Sequence, residues 1–327
     1  MCLGVLRDGR CQRTAERLRD PAMGIGCVSV DLDEIPNYAA IHGVAGASVD
    51  PHAVYDRGLP RLAEWAERHD LPLTLFAIGQ DLRRESARVG LSQLLGRGHE
   101  IANHSLDHRY DLTRLAQPEM RHQVEAAQQL FERELGVIPK GFRAPGYTTT
   151  DALYSVLEEL GFTYSSSVFP CPPYYAAKLA AVAAKRLLGK RSASVIDHPR
   201  VLLCPRRPYR VGDPYWRRGS GLVELPMQTT PWLRLPFIGT TLTLSGATVS
   251  RWLARRVRHE PLVNLELHGI DVLDATDGLQ GLADVQPDLR VPLRSKLEAL
   301  DAAVATLREG GCRFLTLEQA VGELGLS

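Results

Sequence analysis

The sequence lacks several features that would place the chain in a special class of protein. Its six cysteines include no CxxC pair, so neither a cysteine-based structural zinc site nor a redox dithiol is indicated, and we expect reduced thiols. No run of about 18 apolar residues occurs, and the N-terminus holds no apolar stretch of the roughly 7–15 residues that a secretory signal needs. These absences predict a cytoplasmic protein.

The chain also lacks a net charge and is poor in aromatic residues. With 39 Lys and Arg against 38 Asp and Glu, the formal net charge is +1, which gives no reason to expect nucleic-acid binding. Aromatic residues make up 6% of the 327 residues, hydrophobic residues 44% and charged residues 24%. This is the balance of an ordinary globular chain that is long enough to bury a large core, so neither disorder nor a coiled coil is expected.

Short apolar runs of strand type alternate with longer helical patterns from Met23 onward. The predicted strands are 27–32, 73–78, 99–104, 141–144, 162–167, 222–227, 262–268 and 314–317. The helical patterns between them are 53–68, 112–135, 149–160 and 293–309, the last two ending before Gly161 and Gly310 as predicted C-caps. This alternation predicts an α/β protein, namely a single distorted (β/α) barrel of about seven or eight strands with the helices outside.

Two segments do not follow the alternation. Residues 1–22 are polar and basic, and we expect an N-terminal arm there, either disordered or an artefact of the chosen start site. Residues 23–327 form one predicted barrel domain with an insertion at 168–220. Between 170 and 220 there are eleven basic and two acidic residues, so the even charge balance of the whole chain conceals a local excess of nine positive charges.

Four polar clusters follow predicted strands, at the position where the active sites of (β/α) barrels lie. The clusters are SVDLD at 29–33, NHSLDH at 103–108, FRAPGY at 142–147 and LELHGID at 265–271. His104 and His108 have the i, i+4 spacing that would put both rings on one face of a helical turn, where they could share a metal ion with a carboxylate. Arg143 can hold a carboxylate ionised, and His268 can exchange a proton near neutral pH. One such cluster is weak evidence, but four at strand ends indicate a site.

The order DxD, HSxxH, FRAPGY, LxLHG resembles the polysaccharide deacetylase family, also called carbohydrate esterase family 4. The resemblance spans roughly residues 25–320 apart from the insertion. It implies a hydrolase that uses a divalent metal ion to remove an N-acetyl or N-formyl group from an amino sugar or glycoconjugate, breaking a linear amide C–N bond. Zinc is the first expectation for two imidazoles and one carboxylate, and cobalt or nickel would fit the same ligands.

The resemblance also implies roles for individual residues. The implied metal ligands are Asp33, His104 and His108, and the implied catalytic residues are Asp31 as base, Arg143 as the residue that orients it, and His268 as general acid. Gly146, Tyr147 and Leu267 would bind the substrate, with the Gly146 N–H at the oxyanion and Leu267 beside the acyl methyl. Because Leu32 separates the two aspartates, the roles of Asp31 and Asp33 can be reversed. The fifth strand reads YSSS at 164–167 where many relatives carry Asp, so the carboxylate that supports Arg143 or His268 stays open between Asp271 and Glu266.

The basic insertion suggests an acidic substrate. Five arginines could grip a phosphate on a nucleotide, a sugar or a polyprenyl chain: Arg206, Arg207, Arg210, Arg217 and Arg218. Residues 178–191 have an apolar stripe among basic residues, which suits either packing on the barrel or peripheral contact of 178–218 with the inner face of a membrane. The alternatives for the whole chain are a barrel that binds carbohydrate without hydrolysing it, a membrane-docking protein, and a sugar isomerase or other amidohydrolase.

Overall fold

The computed structural model describes residues 24–43, 49–187, 189 and 192–326, so the predicted arm at 1–22 lies outside the described residues. The strands there are β1 Ile25–Asp31, β2 Leu73–Ala77, β3 Glu100–Asn103, β4 Gly141–Phe142, β5 Tyr164–Ser165, β6 Tyr209–Val211, β7 Arg218–Glu224, β8 Leu262–His268 and β9 Arg313–Phe314. The α-helices are α1 Ile35–His42, α2 Leu59–Arg68, α3 Glu85–Gly96, α4 Gln117–Leu135, α5 Asp151–Glu159, α6 Pro172–Leu187, α7 Gly239–Val257, α8 Gln280–Ala283, α9 Leu293–Glu309 and α10 Leu317–Glu323.

The strands form one curled sheet in the order β6-β7-β5-β4-β3-β2-β1-β8, and β9 pairs with the start of β1. All neighbours are parallel except β6 and β7, which are antiparallel. On the other side of the barrel, β8 contacts the segment that follows β7, and this contact is not a strand ladder. There the Gln228 N–H donates to the Asn264 carbonyl at 3.0 Å, and the Asn264 side-chain amide donates to the Leu225 carbonyl at 3.1 Å. The predicted distorted (β/α) barrel is confirmed, with one antiparallel edge added.

Proline and glycine explain where the helix boundaries differ from the sequence pattern. The predicted helix 53–68 is a π-helical turn, Val54–Gly58, followed by α2, and 112–135 is a 3-10 turn followed by α4. Both α-helices have a proline, Pro60 or Pro118, in the first turn, which is the part of a helix that tolerates its missing N–H. Gly161 follows α5 with φ +76°, as a helix terminator should. Gly310 is the C-cap of α9, as predicted, and the left-handed conformation is taken by the next residue, Gly311, with φ +84°.

The barrel interior changes from apolar to polar along its axis. At the amino end of the strands, α10 packs its Leu317 against inward-facing side chains such as Phe76 and Tyr164. The buried Glu100 carboxylate accepts the Glu318 N–H at the start of α10, an arrangement in which an anion stabilises a helix N-terminus. Polar side chains replace the apolar ones towards the carboxyl ends of the strands. The main apolar core lies instead between the sheet and helices α2, α3, α7 and α9.

The insertion contributes α6, β6 and the first residues of β7, so the sixth predicted strand begins at Arg218 rather than at residue 222. The cysteines of the described residues, Cys27, Cys171, Cys204 and Cys312, are free thiols, and Cys2 and Cys11 lie outside that part of the chain. Within the described ranges, no helix combines the length and the apolar character that crossing a bilayer requires.

Candidate active site

A buried arginine holds the first aspartate at the carboxyl end of β1. Arg143 follows β4, and its Nη1 donates to Asp31 Oδ1 at 2.6 Å. Its other donors bind Ser29 Oγ and the carbonyl and hydroxyl of Ser166, while its guanidinium carbon lies 4.1 Å from the centre of the Phe76 ring. Arg143 and Asp31 are both buried, so this charged hydrogen bond is sheltered from water and fixes the carboxylate in one orientation.

The second aspartate meets both histidines of the HSxxH motif. Asp33 Oδ1 lies 3.2 Å from His104 Nε2 and 3.1 Å from His108 Nε2. These three buried atoms converge, yet within the described residues none of them has a partner in hydrogen-bonding geometry. Buried polar atoms without partners are costly, and atoms that converge in this way suit the coordination of a cation. The donor set therefore fits a divalent metal ion such as zinc.

A loop rather than a helical turn brings the two histidines together. Residues 104–109 have no helical structure, and Ser105 and His108 have φ +69° and +56° in the left-handed region. The Ser105 hydroxyl accepts the His108 N–H at 3.1 Å, and Asn103 Oδ1 accepts the Ser105 N–H at 2.8 Å, which stabilises the unusual backbone. The helical-turn prediction for His104 and His108 is thus wrong in its backbone, although the two rings do lie 4.8 Å apart.

Glu266 and Asp271 hold different parts of His268. The two β8 residues Glu266 and His268 point to the same side of the sheet, and Glu266 Oε1 lies 2.9 Å from His268 Nδ1. Asp271 instead accepts the backbone N–H of His268 at 2.9 Å. Tyr147 donates its hydroxyl to Glu266 at 3.0 Å and lies 3.1 Å from His268 Nε2. The carboxylate left open by the sequence is therefore Glu266 for the imidazole and Asp271 for the backbone.

A second acid and imidazole group is less suited to a metal. Donor atoms of Asp31, Glu266 and His268 also approach one another, but Arg143 holds Asp31, and Glu266 already contacts His268 and Tyr147. The cluster of Asp33 with the two histidines has no such competing partners. The register of β1 and β8 pairs Asp31 with His268, so the two groups face each other across adjacent strands.

The buried charges shift the pKa values of the site in opposite directions. Burial raises the pKa of the Asp33 carboxyl, but the two imidazoles lower it by more, so this pKa lies well below its usual range. Burial lowers the pKa of His268, but the charge and hydrogen bonding of Glu266 raise it by more, to well above the usual value. At neutral pH the site thus offers an ionised Asp33 and a protonated His268.

The FRAPGY turn forms part of a cavity of about 560 Å³ that Asp31, Asp33 and His268 also line. Gly146 has φ +63°, and a Cβ there would lie 3.0 Å from the Tyr110 ring. Both the left-handed backbone and this close neighbour favour glycine at the position. Tyr147 also lines this cavity. Leu267 does not: it is fully buried in the core between sheet and helices, because alternation along β8 points it away from Glu266 and His268. The acyl-pocket role of Leu267 gains no support from the cavity lining.

The five arginines that the sequence suggested for phosphate binding do not line the cavity, which corrects that prediction. Arg206 and Arg207 both pair with Glu260, which precedes β8 at the opposite end of the barrel, at 2.9 and 2.8 Å. Arg210 and Arg218 donate to backbone carbonyls of residues 326 and 208, and the exposed Arg217 does not line the cavity either. In the described part of the insertion, the cavity is lined by residues of α6 and by Ser194.

Sequence reasoning missed the polar side chains that support the site from within the barrel. Asn264 accepts from Ser29 at 3.0 Å and donates to Ser166, so both serines that bind Arg143 are themselves held. The signal was present in β8, where Asn264, Glu266 and His268 recur at every second position of an otherwise apolar strand. Tyr38, Tyr110 and Tyr174, which line the cavity, had no comparable signal.

The fold is a distorted (β/α) barrel. At the carboxyl ends of its strands, a carboxylate and two imidazoles converge in a candidate metal site. Residues 50–165 match the family model for polysaccharide deacetylase, which is the family that the motifs resemble. The match includes His104, His108 and Arg143 but ends before His268 and begins after the two aspartates.

Two curated relatives and one solved structure are similar to the chain. A peptidoglycan deacetylase of Helicobacter pylori is 24% identical over 45% of this chain and 50% of its own length. A peptidoglycan-N-acetylglucosamine deacetylase of Bacillus cereus is 27% identical over 32% of this chain and 46% of its own length. The alignments thus span about half of each relative. The structure of a family 4 carbohydrate esterase from Streptomyces lividans in complex with acetate has a TM-score of 0.45 at 13% identity, covering 89% of this chain and 91% of that one.

Proposed function

We propose that the protein is a metal-dependent N-deacylase that hydrolyses the N-acetyl or N-formyl group of an amino sugar or glycoconjugate. The observation that carries the proposal is the convergence of Asp33, His104 and His108 beside an arginine-held Asp31 and a glutamate-paired His268. Asp31, Asp33 and His268 line one cavity. Because the two relatives are deacetylases of peptidoglycan and of its N-acetylglucosamine, N-acetylated amino sugars are the first substrates to test.

The residues that would hold the ion are Asp33, His104 and His108, with zinc expected first and cobalt or nickel fitting the same ligands. When bound, the divalent ion supplies Lewis acidity that polarises the amide carbonyl and acidifies a water molecule. Nδ1 of His104 lies 2.8 Å from the Arg143 carbonyl, so this nitrogen donates its proton there and Nε2 is left as the ligand atom.

Asp31 is placed to take the proton of the attacking water. Arg143 occupies its Oδ1, which leaves Oδ2 as the atom that accepts the proton. The backbone N–H of Gly146 would stabilise negative charge that develops on the carbonyl oxygen. His268 then donates its proton to the departing nitrogen, and Glu266 stabilises the imidazolium before that step.

The test is release of acetate or formate from N-acetyl and N-formyl amino sugars by metal-loaded wild-type protein and by Asp31→Asn. We expect release by the wild type and a loss of about 10²–10⁴-fold in kcat for Asp31→Asn, which is the size of a general-base contribution. A matched control is Asp284→Asn, since Asp284 is an acidic residue outside the cavity. Equal release by wild type and Asp31→Asn would remove Asp31 from the base role.

Two other candidate functions predict different results. A barrel that binds carbohydrate without hydrolysis would bind the sugars and release nothing. Peripheral membrane contact through 178–218 would show as sedimentation with anionic vesicles, whether or not the protein is active.

A further inference from the structure

Helix α6 of the insertion forms a wall of the cavity that holds the proposed catalytic groups. Tyr174, Lys178, Val182 and Lys185 line the cavity, and they recur three or four positions apart, as one face of an α-helix requires. Val182 is the buried apolar side chain of this helix, whereas Leu179 and Leu187 are exposed. The predicted apolar stripe is therefore split, with the two lysines on the side of the cavity, and Leu188, Lys190 and Arg191 lie outside the described residues.

Lys178 stands directly beside the proposed reaction centre. Its Nζ donates to the Gly146 carbonyl at 2.9 Å and lies 5.9 Å from the centre of the Tyr174 ring. Burial lowers the pKa of Lys178 to about 8, although the charge of Asp197 acts in the opposite direction. A partly desolvated ammonium of this kind gains more from a bound anion than an exposed one does.

Lys185 marks the far part of the same wall. Its Nζ donates to the Ile41 carbonyl at 2.9 Å and lies 3.3 Å from His42 Nδ1, while His42 Nε2 contacts Gln286 at 2.7 Å. Seven residues separate the two lysines along α6, which corresponds to roughly 10 Å.

The charges along the cavity are segregated. Among the described residues that line it, the only carboxylates are Asp31 and Asp33, and both belong to the proposed metal and base positions. The lysines lie on the opposing wall, beside apolar side chains such as Ile41, Val182 and Leu244. An anionic group on a bound sugar would be attracted by this lysine-bearing wall and repelled by the two carboxylates.

We infer that the substrate is an amino sugar with an anionic substituent, phosphate or carboxylate, which the cationic α6 wall of Lys178 and Lys185 binds while the N-acyl group lies at Asp31 and His268. The inference rests on the proposed function and replaces the arginines of the sequence prediction with two lysines. A lysine recognises an anionic oxygen as a point charge, which suits either substituent.

The test compares kcat/KM for three N-acetylated sugars: N-acetylglucosamine 1-phosphate, N-acetylmuramic acid and the neutral methyl N-acetylglucosaminide. We expect one of the two anionic sugars to be preferred over the neutral one, and the preferred one identifies the substituent. The preference should fall about tenfold or more in whichever of Lys185→Gln and Lys178→Gln removes the lysine that contacts the anion, because a charged hydrogen bond is lost, and it should fall less in the other variant. Arg186→Gln is the matched control, since Arg186 lies on α6 next to Lys185 but is exposed and does not line the cavity.

Other outcomes separate the inference from the proposed function. Equal kcat/KM for the anionic and neutral sugars, or an anionic preference that Lys185→Gln and Lys178→Gln leave intact, overturns the inference and leaves the deacylase intact. If no sugar releases acetate, the proposed function fails, and calorimetric titration of the same sugars still tests the wall. Binding of an anionic sugar that both lysine variants weaken supports the wall, and absence of binding overturns it.

Discussion

The proton on His268 depends most on the neighbouring Glu266, and the charges of Asp31 and Asp33 act in the same direction. Burial would make the imidazole neutral, and the Glu266 carboxylate at 2.9 Å opposes this by raising the pKa. If protonated His268 is the general acid, activity is lost as the pH rises through this pKa. Replacing the carboxylate by an amide in Glu266→Gln removes the largest raising influence, so the alkaline limb of the pH profile of kcat should move to lower pH.

Glu224→Gln is the matched control for that experiment. Glu224 is also a buried glutamate that accepts a tyrosine hydroxyl, from Tyr154 at 2.9 Å, but it does not line the cavity. Its amide variant should lower stability without moving the limb. An alkaline limb that stays in place in Glu266→Gln would show that His268 is not the group that titrates there.

The two aspartates of DxD should separate by metal binding. Asp33 has an oxygen aimed at both histidines, whereas Arg143 holds Asp31. Loss of a residue that only hydrogen-bonds to a metal ligand typically lowers metal affinity about 10–100-fold. We expect Asp33→Asn to lower metal affinity by more than this, and Asp31→Asn to lower it by less. Metal content by mass spectrometry after dialysis against competing chelator measures this. The reverse order would exchange the two roles.

At the scale of single elements, the FRAPGY turn requires a glycine. Gly146→Ala should cost about 1–2 kcal/mol of unfolding free energy for a left-handed backbone with a side chain, together with a lower kcat/KM because Tyr110 is displaced. Gly136→Ala is the control, since Gly136 ends α4 at φ +70° with open space around it and lies away from the cavity. Urea unfolding and acetate release measure both effects. An equal loss of activity in both variants would show that the effect of Gly146→Ala does not arise from the FRAPGY turn.

Elements with a strong local pattern were predictable, and a short loop was not. The bounds of β8 and α9 follow from the apolar pattern alone, because each buries one regular set of side chains. The HSxxH segment has the spacing of a helical turn, but its hydrogen bonds to Asn103 and Ser105 stabilise a left-handed path instead. Side-chain hydrogen bonds to the backbone of this kind depend on where β3 ends, which a spacing does not encode.

At the scale of the whole molecule, the closure of the barrel depends on Asn264. Its amide links β8 to the Leu225 carbonyl and to Ser166, where the sheet has no strand ladder. Asn264→Ala leaves these buried partners unpaired, so we expect a loss of about 3 kcal/mol of unfolding free energy in urea titrations. Asn37→Ala, at a half-buried position of α1, should change stability by no more than about 0.5 kcal/mol. Equal losses in the two variants would argue against closure through Asn264.

The amino-acid sequence by itself determined the α/β class, the order of the strands along the chain and the positions of Asp31, Asp33, His104, His108, Arg143 and His268, because periodicity and strand-end motifs are local properties. Only the tertiary structure decided which charges of the insertion meet the cavity. The count of 39 basic against 38 acidic residues conceals a local excess of positive charge in the insertion, and from this excess the sequence predicted that arginines would bind the substrate. Folding pairs Arg206 and Arg207 with Glu260 at the far end of the barrel and brings Lys178 and Lys185 to the cavity. Charge in a sequence is a sum, whereas recognition depends on the direction in which each side chain points.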